Sequence, residues 1–262
     1  MTGPVISFSD GAAYESYMGV WSRMVGEVFL DWLDPRPGLR WVDIGCGNGA
    51  FTELLMQRCA PAGVHGIDPS EPQLSFARTR PGAAGAVFDK GDAMALPYPD
   101  HAFDAAAMAL VLFFVPDAAK GVAEMKRVVK PGGIVAAYVW DVLGGGLPVE
   151  PLDDTMRSMG YPPAYPPSVA VSQMDNLVAA WTEAGFDAVQ SRAFTAERRF
   201  DDFDIFWNTA ASSDRCQITL RAMGPDKVEI LKHKVRARIP AAADGSLTMT
   251  ARANAVSGRA PG

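Results

Sequence analysis

The chain has 262 residues, a formal net charge of −6 and a hydrophobic content of 48%. A chain of this size and composition is able to bury one substantial core, with room for a cap. The acidic balance argues against a nucleic-acid partner. The longest apolar run, residues 105–115, is too short to cross a bilayer, and the first residues do not resemble a signal peptide.

Cysteine usage bears on compartment and on metal binding. Three cysteines at irregular spacing provide neither a disulfide framework nor a metal cluster, so we predict no metal site. Reduced thiols are typical of the reducing interior of a cell, and we therefore expect a cytoplasmic location.

Residues 12–33 are predicted to form one or two helices ahead of the first strand. Aromatic and aliphatic side chains recur there at helical spacing. The run Pro35-Arg36-Pro37-Gly38 ends this unit, because proline and glycine both interrupt a helix.

The most informative segment follows directly. Val42 and Ile44 are β-branched, as a buried parallel strand prefers. Gly45, Gly47 and Gly49 then allow a turn with positive φ, along which a ligand can lie against bare backbone. A helix begins next, with apolar residues at helical spacing. This order predicts a site for a nucleotide-like cofactor, and the spacing fits NAD as well as other adenosine ligands.

Acidic side chains close the next two predicted strands. Residues 64–68 form a strand that ends in Asp68, where a carboxylate is able to accept both ribose hydroxyls of an adenosine ligand. A third, short strand is followed by Asp92. Each acid also has a structural alternative, since Asp68 could cap the next helix and Asp92 could belong to a turn.

Strands and helices continue to alternate through the rest of the chain. The turn Pro131-Gly132-Gly133 leads into a strand over residues 134–140. Glycines and prolines then predict an irregular insertion over about 141–171. The elements predicted after it are a helix capped by Ser172 that ends at Gly185, a strand over 186–194, helices over 201–211 and 225–238, and a last strand over 247–255.

The ordered blocks between Trp41 and Trp140 resemble the class I S-adenosylmethionine-dependent methyltransferases. They are most similar to the type 11 small-molecule group, which includes the ubiquinone and menaquinone biosynthesis methyltransferases. The resemblance implies an α/β fold with a Rossmann-like, doubly wound, seven-stranded sheet whose last strand is antiparallel. It also implies an N-terminal helical lid over residues 1–38 and a methyltransferase domain over 39–262, with a proline-rich cap insertion at about 141–171.

S-adenosylmethionine is the cofactor that the resemblance implies. Asp43 would face its amino group, and Gly45 and Gly47 would pass its methionine part close to backbone. Asp68 would hold the ribose hydroxyls.

Further cofactor contacts follow from the same resemblance. Asp92 would accept a hydrogen bond from the adenine amino group, and the Ala93 N–H would donate to a ring nitrogen. Thr52 and Ala109 match additional contacts of the family. Arg23, in the lid, would pair with the carboxylate of the cofactor, and its alternative is a solvated position on a helix surface.

The acceptor side departs from the pattern of the family. A polar pair often follows the fourth strand, whereas this chain has Phe113 and Phe114 there. The acceptor is then hydrophobic and already nucleophilic, or a base comes from elsewhere; both rings could also be core. Tyr17, Phe114 and Trp140 are predicted to contact the substrate. No residue is assigned as catalytic, and none of the three histidines is assigned as a base.

The predicted function is transfer of a methyl group to a small-molecule acceptor by in-line displacement, with oxygen, nitrogen and carbon acceptors all open. An NAD(P)-dependent oxidoreductase is the first alternative, although Asp92 and the turn at residues 131–133 have no evident task there. A non-catalytic S-adenosylmethionine-binding domain is the second, because Phe113 and Phe114 remove a polar pair. A homodimer is compatible with the resemblance.

Overall fold

The computed structural model describes residues 18–212 and 214–262. The predicted lid residues before position 18, Tyr17 among them, lie outside this part. Helix α1 (Val20–Leu33) belongs to the predicted N-terminal helical segment, and its buried face carries Trp21, Val25 and Phe29 at helical spacing.

Seven strands of the described chain form one sheet. They are β1 (Arg40–Ile44), β2 (Gly63–Asp68), β3 (Val87–Lys90), β4 (Phe103–Ala109), β5 (Val129–Trp140), β6 (Asp187–Phe200) and β7 (Leu247–Arg259). Their order in the sheet is β3-β2-β1-β4-β5-β7-β6. β1 to β5 are parallel, and β7 lies antiparallel between β5 and β6. The predicted doubly wound sheet with an antiparallel last strand is confirmed.

Helices cover both faces of the sheet. Phe29 of α1 packs on Tyr138 of β5 with ring centroids 4.7 Å apart, and Tyr138 pairs with Ala109 of β4. On the other face, Gly121 of the helix Ala118–Val128 lies against Met108 of β4. Met108 precedes Ala109 on the same strand, so the two side chains point to opposite faces of the sheet. The helices after α1 are α2 (Ala50–Arg58), α3 (Glu71–Ala77), α4 (Ala118–Val128), α5 (Glu150–Ser158), α6 (Met174–Glu183), α7 (Phe203–Ala211), α8 (Asp214–Met223) and α9 (Pro225–Arg238).

None of the helices in the described chain combines the length and the apolar character that a bilayer crossing requires.

The last two strands continue beyond the end of β5. Trp140, the last residue of β5, pairs with Ala253 of β7. Past that point, residues 195–200 of β6 pair with residues 247–252 of β7. At about 3.3 Å per residue this two-stranded extension, called the ribbon below, is roughly 20 Å long. It extends past the carboxyl edge of the parallel strands, where ligands bind in open α/β sheets.

Two insertions arise at this same edge, because β5 and β6 both end there. One contains α5, and the other contains α7, α8 and α9; together these four helices are called the cap below. Arg238 of α9 forms an ion pair with Asp154 of α5. Phe206 of α7 packs on Phe200 of the ribbon with ring centroids 5.4 Å apart. The cap is therefore one packed unit joined to the ribbon.

Several local predictions are wrong. The insertion over 141–171 is not irregular throughout, since it contains α5, whose Pro151 lies in the first turn, where proline is tolerated. Ser172 does not cap α6. It lies in a short 3-10 turn, and its Oγ accepts a hydrogen bond from the Leu143 N–H at 3.3 Å. The last two strands are longer than predicted, and α8 was not predicted.

An ion pair fastens the loop after β5 to the ribbon, and its loss should destabilise the fold. Arg252 Nε donates to Oδ2 of the buried Asp141 at 2.8 Å, and Asp141 Oδ1 accepts from the Gly144 N–H at 3.0 Å. Arg252→Met leaves the carboxylate without its cation. We expect urea denaturation to show a loss of about 1–3 kcal/mol in the free energy of unfolding.

Arg199→Met is the matched control on the same ribbon. Arg199 pairs with Asp244, and the two side chains are 60% and 61% exposed, so water screens the pair. Its loss should change the free energy of unfolding by about 0–0.5 kcal/mol. Equal losses in the two variants would contradict the proposed role of Asp141.

Candidate functional site

The loop after β1 runs through three glycines with left-handed backbone. Gly45, Gly47 and Gly49 have φ values of +74°, +52° and +81°. A Cβ on Gly45 would lie 2.4 Å from Val111 Cγ1, and one on Gly49 would lie 2.9 Å from Ala77 Cβ. These two glycines therefore allow close packing within the protein. A Cβ on Gly47 would meet no described atom within 4 Å, so the backbone open to a ligand is at Gly47.

Asp43 is buried next to this loop. Its Oδ2 accepts a hydrogen bond from Thr52 Oγ1 at 2.6 Å, and Thr52 is buried as well. Its Oδ1 is buried without a hydrogen-bond partner among the described residues. Burial raises the pKa of Asp43 to about 7, and the bond from Thr52 opposes that rise. An unsatisfied buried carboxylate oxygen is costly, so Oδ1 marks a place that favours a cation or a donor.

Asp68 joins the end of β2 to the glycine loop. Its Oδ2 accepts from the Gly47 N–H at 3.0 Å, and its Oδ1 accepts from the Ser70 N–H at 2.8 Å. Burial raises the pKa of Asp68, and the two N–H groups lower it. Each carboxylate oxygen keeps a second acceptor position. Asp68 therefore also has a structural role, as one of the sequence-based alternatives predicted, because it stabilises both the glycine loop and the turn before α3.

Four of the predicted residues share one face of the sheet at its carboxyl edge. Ala109, for example, pairs with Tyr138, which lies two residues before Trp140. Side chains alternate along each strand, so the registers of β1, β2, β4 and β5 fix which residues point the same way. The four residues on this face are Asp43, Asp68, Ala109 and Trp140.

The chain turns sharply after β4, at Leu110 and Val111, which no sequence pattern singled out. Leu110 has φ +62°, and its N–H donates to the Tyr138 carbonyl at 2.8 Å. A non-glycine residue in this conformation is strained by about 1–2 kcal/mol. The turn directs Val111 against Gly45, so the end of β4 holds the glycine loop in place.

Aromatic side chains lie close to this edge. Trp140 is buried, and its indole N–H has no acceptor in the described part of the chain. Phe113 is buried and Phe114 half-buried, with ring centroids 4.5 Å apart. The Phe113 carbonyl accepts from the Ser168 N–H at 3.0 Å, which attaches this segment to the insertion. Phe113 is therefore core, and Phe114 is the more accessible of the two.

Comparison with known proteins adds an independent observation. Residues 42–137, which include the glycine loop and the ends of β1, β2 and β4, match a family model described as a methyltransferase domain. The matched residues are similar to a methyltransferase domain and make up less than half of the chain.

Curated relatives resemble part of the chain around this methyltransferase domain. The 2-phytyl-1,4-naphtoquinone methyltransferase of Synechococcus elongatus is 38% identical over 122 residues, which cover 45% of this chain and 51% of the relative. The demethylmenaquinone methyltransferase of Desulfitobacterium hafniense is 39% identical over 112 residues, covering 40% and 44%. An uncharacterized protein of a Streptomyces fradiae transposon is 39% identical, with 36% of its length covered. The chain thus matches about a third to a half of each relative.

Solved structures share the fold over nearly the whole chain. The YcgJ protein from Bacillus subtilis has a TM-score of 0.60 at 19% identity and covers 90% of this chain and 98% of its own. The [4+2]-cyclase SpnF has a TM-score of 0.56 at 20% identity and covers 98% and 88%. These similarities extend the fold of the methyltransferase domain to the flanking elements.

Asp92 and Ala93 lie after β3, outside the buried part of the candidate site. Asp92 is exposed, and its Oδ1 accepts from the Met94 N–H at 2.8 Å, as the predicted turn alternative requires. Ala93 is half-buried. Their predicted contacts with an adenine ring stay a prediction.

Arg23 is not grouped with the glycine loop. Its guanidinium is half-exposed and contacts Glu27 Oε1 and Gln57 Oε1, each at 3.1 Å. Gln57 belongs to the last turn of α2, whereas the loop precedes the first turn. Arg23 therefore joins α1 to the far end of α2 in this structure. Among the described residues, no cluster of three or more histidine, cysteine or acidic side chains is arranged to hold a metal ion.

The buried Asp43 should make the stability of the domain depend on pH. Its pKa is about 7 in the folded state and about 3.8 when solvated, so between these values the folded state holds the additional proton. Stability therefore falls as the pH rises from about 4 to about 7 and then levels off. Asp43→Asn removes this contribution. Urea denaturation between pH 5 and pH 8 should show a decline about 2–3 kcal/mol smaller for Asp43→Asn than for the wild type. Parallel curves for the two proteins would contradict the shifted pKa.

Proposed function

We propose that the protein is an S-adenosylmethionine-dependent methyltransferase that acts on a small molecule. The observation that carries the proposal is the buried Oδ1 of Asp43, which has no partner among the described residues and belongs to the strand that leads into the open backbone at Gly47. An amino cation bound there would supply the missing donor. The methyltransferase domain over residues 42–137 supports the same conclusion.

The residues present fit such a cofactor. Asp43 would bind the amino group, with Thr52 fixing the rotamer of the carboxylate. Gly47 would let the amino-acid part approach the backbone, and Asp68 would accept the ribose hydroxyls with the lone pairs that its present bonds leave. Ala109 leaves room on the same face because its side chain is small. Asp92 and Ala93 remain the proposed adenine contacts.

The cofactor, when bound, supplies a methyl group on a sulfonium, which is its own leaving group. The protein then has to hold the acceptor in line with that group and exclude water. Trp140 and Phe114 are the proposed acceptor contacts. No side chain is proposed as a general base, since His65 bonds Asp89 and Arg40 and His101 bonds the Val129 carbonyl.

The acceptor is proposed to be an apolar, aromatic small molecule. Two relatives are named as a 2-phytyl-1,4-naphtoquinone methyltransferase and a demethylmenaquinone methyltransferase. Phe113 and Phe114 give the end of β4 an apolar character without a base, which suits an acceptor atom that is already nucleophilic.

Two finer points belong to this proposal. A cytoplasmic location is supported by the cysteines, since Cys46, Cys59 and Cys216 are all buried and form no disulfide with one another. The absence of a nucleic-acid partner is supported by the net charge of −6.

A binding domain without methyl transfer is the second candidate. One observation favours it: the similar fold of SpnF belongs to a protein named as a cyclase, so the fold alone does not set the reaction. Both candidates require the same cofactor, and only a transfer assay separates them.

The proposal is tested first by the choice of cofactor. Calorimetric titration should detect S-adenosylmethionine and S-adenosylhomocysteine, and should detect no binding of NADH. A methyl-labelled cofactor should then transfer label to at least one member of a panel of phenols, amines and quinols. Binding of NADH alone would end the methyltransferase proposal, and cofactor binding without transfer to any acceptor would favour the second candidate.

Asp68→Ala tests the ribose contact. The variant should bind S-adenosylhomocysteine more weakly by about 1–3 kcal/mol, because partners of the carboxylate are left without an acceptor. Asp89→Ala is the control, since Asp89 lies on the neighbouring strand and its carboxylate bonds Tyr98 instead. Unchanged affinity in Asp68→Ala, or an equal loss in Asp89→Ala, would count against the assignment.

A further inference from the structure

Arg80 is a largely buried arginine that lies beside the glycine loop. It follows α3, and its side chain is 11% exposed. Its Nε donates to the Asn48 carbonyl at 2.6 Å, and its Nη1 donates to Glu53 Oε2 at 2.9 Å. Asn48 belongs to the glycine loop, and Glu53 belongs to the first turn of α2. Arg80 therefore bonds the loop and the helix that follows it at the same time.

The position of Arg80 is an unfavourable one for a cation. α2 begins at Ala50, and the amino end of a helix carries a partial positive charge. Burial of a guanidinium costs further free energy. The Glu53 carboxylate offsets these costs, but two apolar side chains in place of the pair would avoid them altogether. Such side chains could not bond the Asn48 carbonyl, so the bond to the loop is what the arginine contributes.

Both ends of α3 are joined to neighbouring residues of the glycine loop. Before α3, Asp68 Oδ2 accepts from the Gly47 N–H at 3.0 Å, and Oδ1 accepts from the Ser70 N–H at 2.8 Å. After α3, Arg80 donates to the Asn48 carbonyl. The peptide units before Gly47 and after Asn48 are therefore both held. The unit between them belongs to the stretch of backbone that is open to a ligand.

The centre of the loop depends on these hydrogen bonds more than its ends do. Gly45 and Gly49, at the two ends, fit closely against neighbouring side chains. A Cβ on Gly47, in contrast, would meet no described atom within 4 Å. Glycine also has more backbone freedom than other residues, so an unsupported peptide here would sample several orientations. The hydrogen bonds on either side of Gly47 therefore restrict its backbone.

We propose that Arg80 is a positioning residue of the cofactor site, which holds the backbone at Gly47 in the orientation that the amino-acid part of the cofactor requires. This inference rests on the proposed function, since it adds a residue to that same site. Arg80 lies on the α3 side of the loop, where its Cδ and Ala77 would both meet a Cβ on Gly49. It therefore acts through the loop, whereas Asp68 would bind the ribose directly. Loss of Arg80 should weaken binding of the amino-acid part and spare the adenosyl part.

The test compares two ligands that differ in the amino-acid part. S-adenosylhomocysteine carries this part, whereas methylthioadenosine has a methyl group in its place. Both affinities are measured by calorimetry on the full chain. Arg80→Met should bind S-adenosylhomocysteine about tenfold more weakly than the wild type, because the Asn48 carbonyl loses its donor and the loop shifts, while the affinity for methylthioadenosine stays within about twofold.

Arg78→Met is the matched control. Arg78 directly follows α3, and its guanidinium donates to Glu71 and to the Phe88 carbonyl instead of the loop. Both affinities should stay within about twofold in this variant, since the ion pair is exposed. An equal loss of the two affinities in Arg80→Met would leave Arg80 a structural role only and overturn the inference. Unchanged binding of S-adenosylhomocysteine in Arg80→Met, or the same selective loss in Arg78→Met, would also contradict it.

A second variant covers the case in which Arg80→Met does not fold, which urea denaturation would reveal. Arg80→Met leaves the largely buried Glu53 without its cation, whereas Arg80→Met combined with Glu53→Met removes both charges. The double variant should show the same selective loss, and an unchanged ratio of the two affinities in it would refute the inference. A wild type that does not bind S-adenosylhomocysteine would instead remove the proposed function, so the two failures are distinguishable.

Discussion

The half-satisfied carboxylate of Asp43 is the constraint on which the site depends. Thr52 supplies one hydrogen bond from the first turns of α2, and the second oxygen has no partner among the described residues. Burial raises the pKa of Asp43 to about 7, so the charged form is disfavoured in the folded protein relative to water. The position is enforced by the fold, since β1 is central and Asp43 pairs with strands on both sides. The open backbone at Gly47, which is bonded to Asp68, lies in the loop that follows Asp43 along the chain.

The rest of the molecule is organised around the edge at which this group lies. β5 and β6 end at the carboxyl edge, so both insertions of the chain emerge there and pack together as the cap. The ribbon extends past this edge of the sheet. The Asp141–Arg252 ion pair fastens the ribbon to the loop after β5. A strained turn at Leu110 brings Val111 against Gly45 and fixes the glycine loop from the other side. These elements border the edge of the sheet at which the proposed cofactor contacts lie.

The strand, glycine turn and acidic strand ends were predictable because each depends on local chemistry. β-branched residues favour the strand, glycine alone tolerates the positive φ values, and the register then brings Asp43 and Asp68 together. Features that depend on contacts between distant parts of the chain were harder to predict from the sequence. Pro151 resembled a loop residue although it begins α5, and the outer part of β6 was missed because its alternation continues with arginine. The contact of Arg23 with Gln57 depends on how two helices pack, which no local pattern specifies.

The most direct test of the central claim is a crystal structure of the protein with S-adenosylhomocysteine. The account predicts the amino nitrogen of the ligand within about 3.2 Å of Asp43 Oδ1, with the ribose hydroxyls on Asp68. A ligand that binds with its amino group elsewhere, while Asp43 Oδ1 stays without a donor, would contradict it.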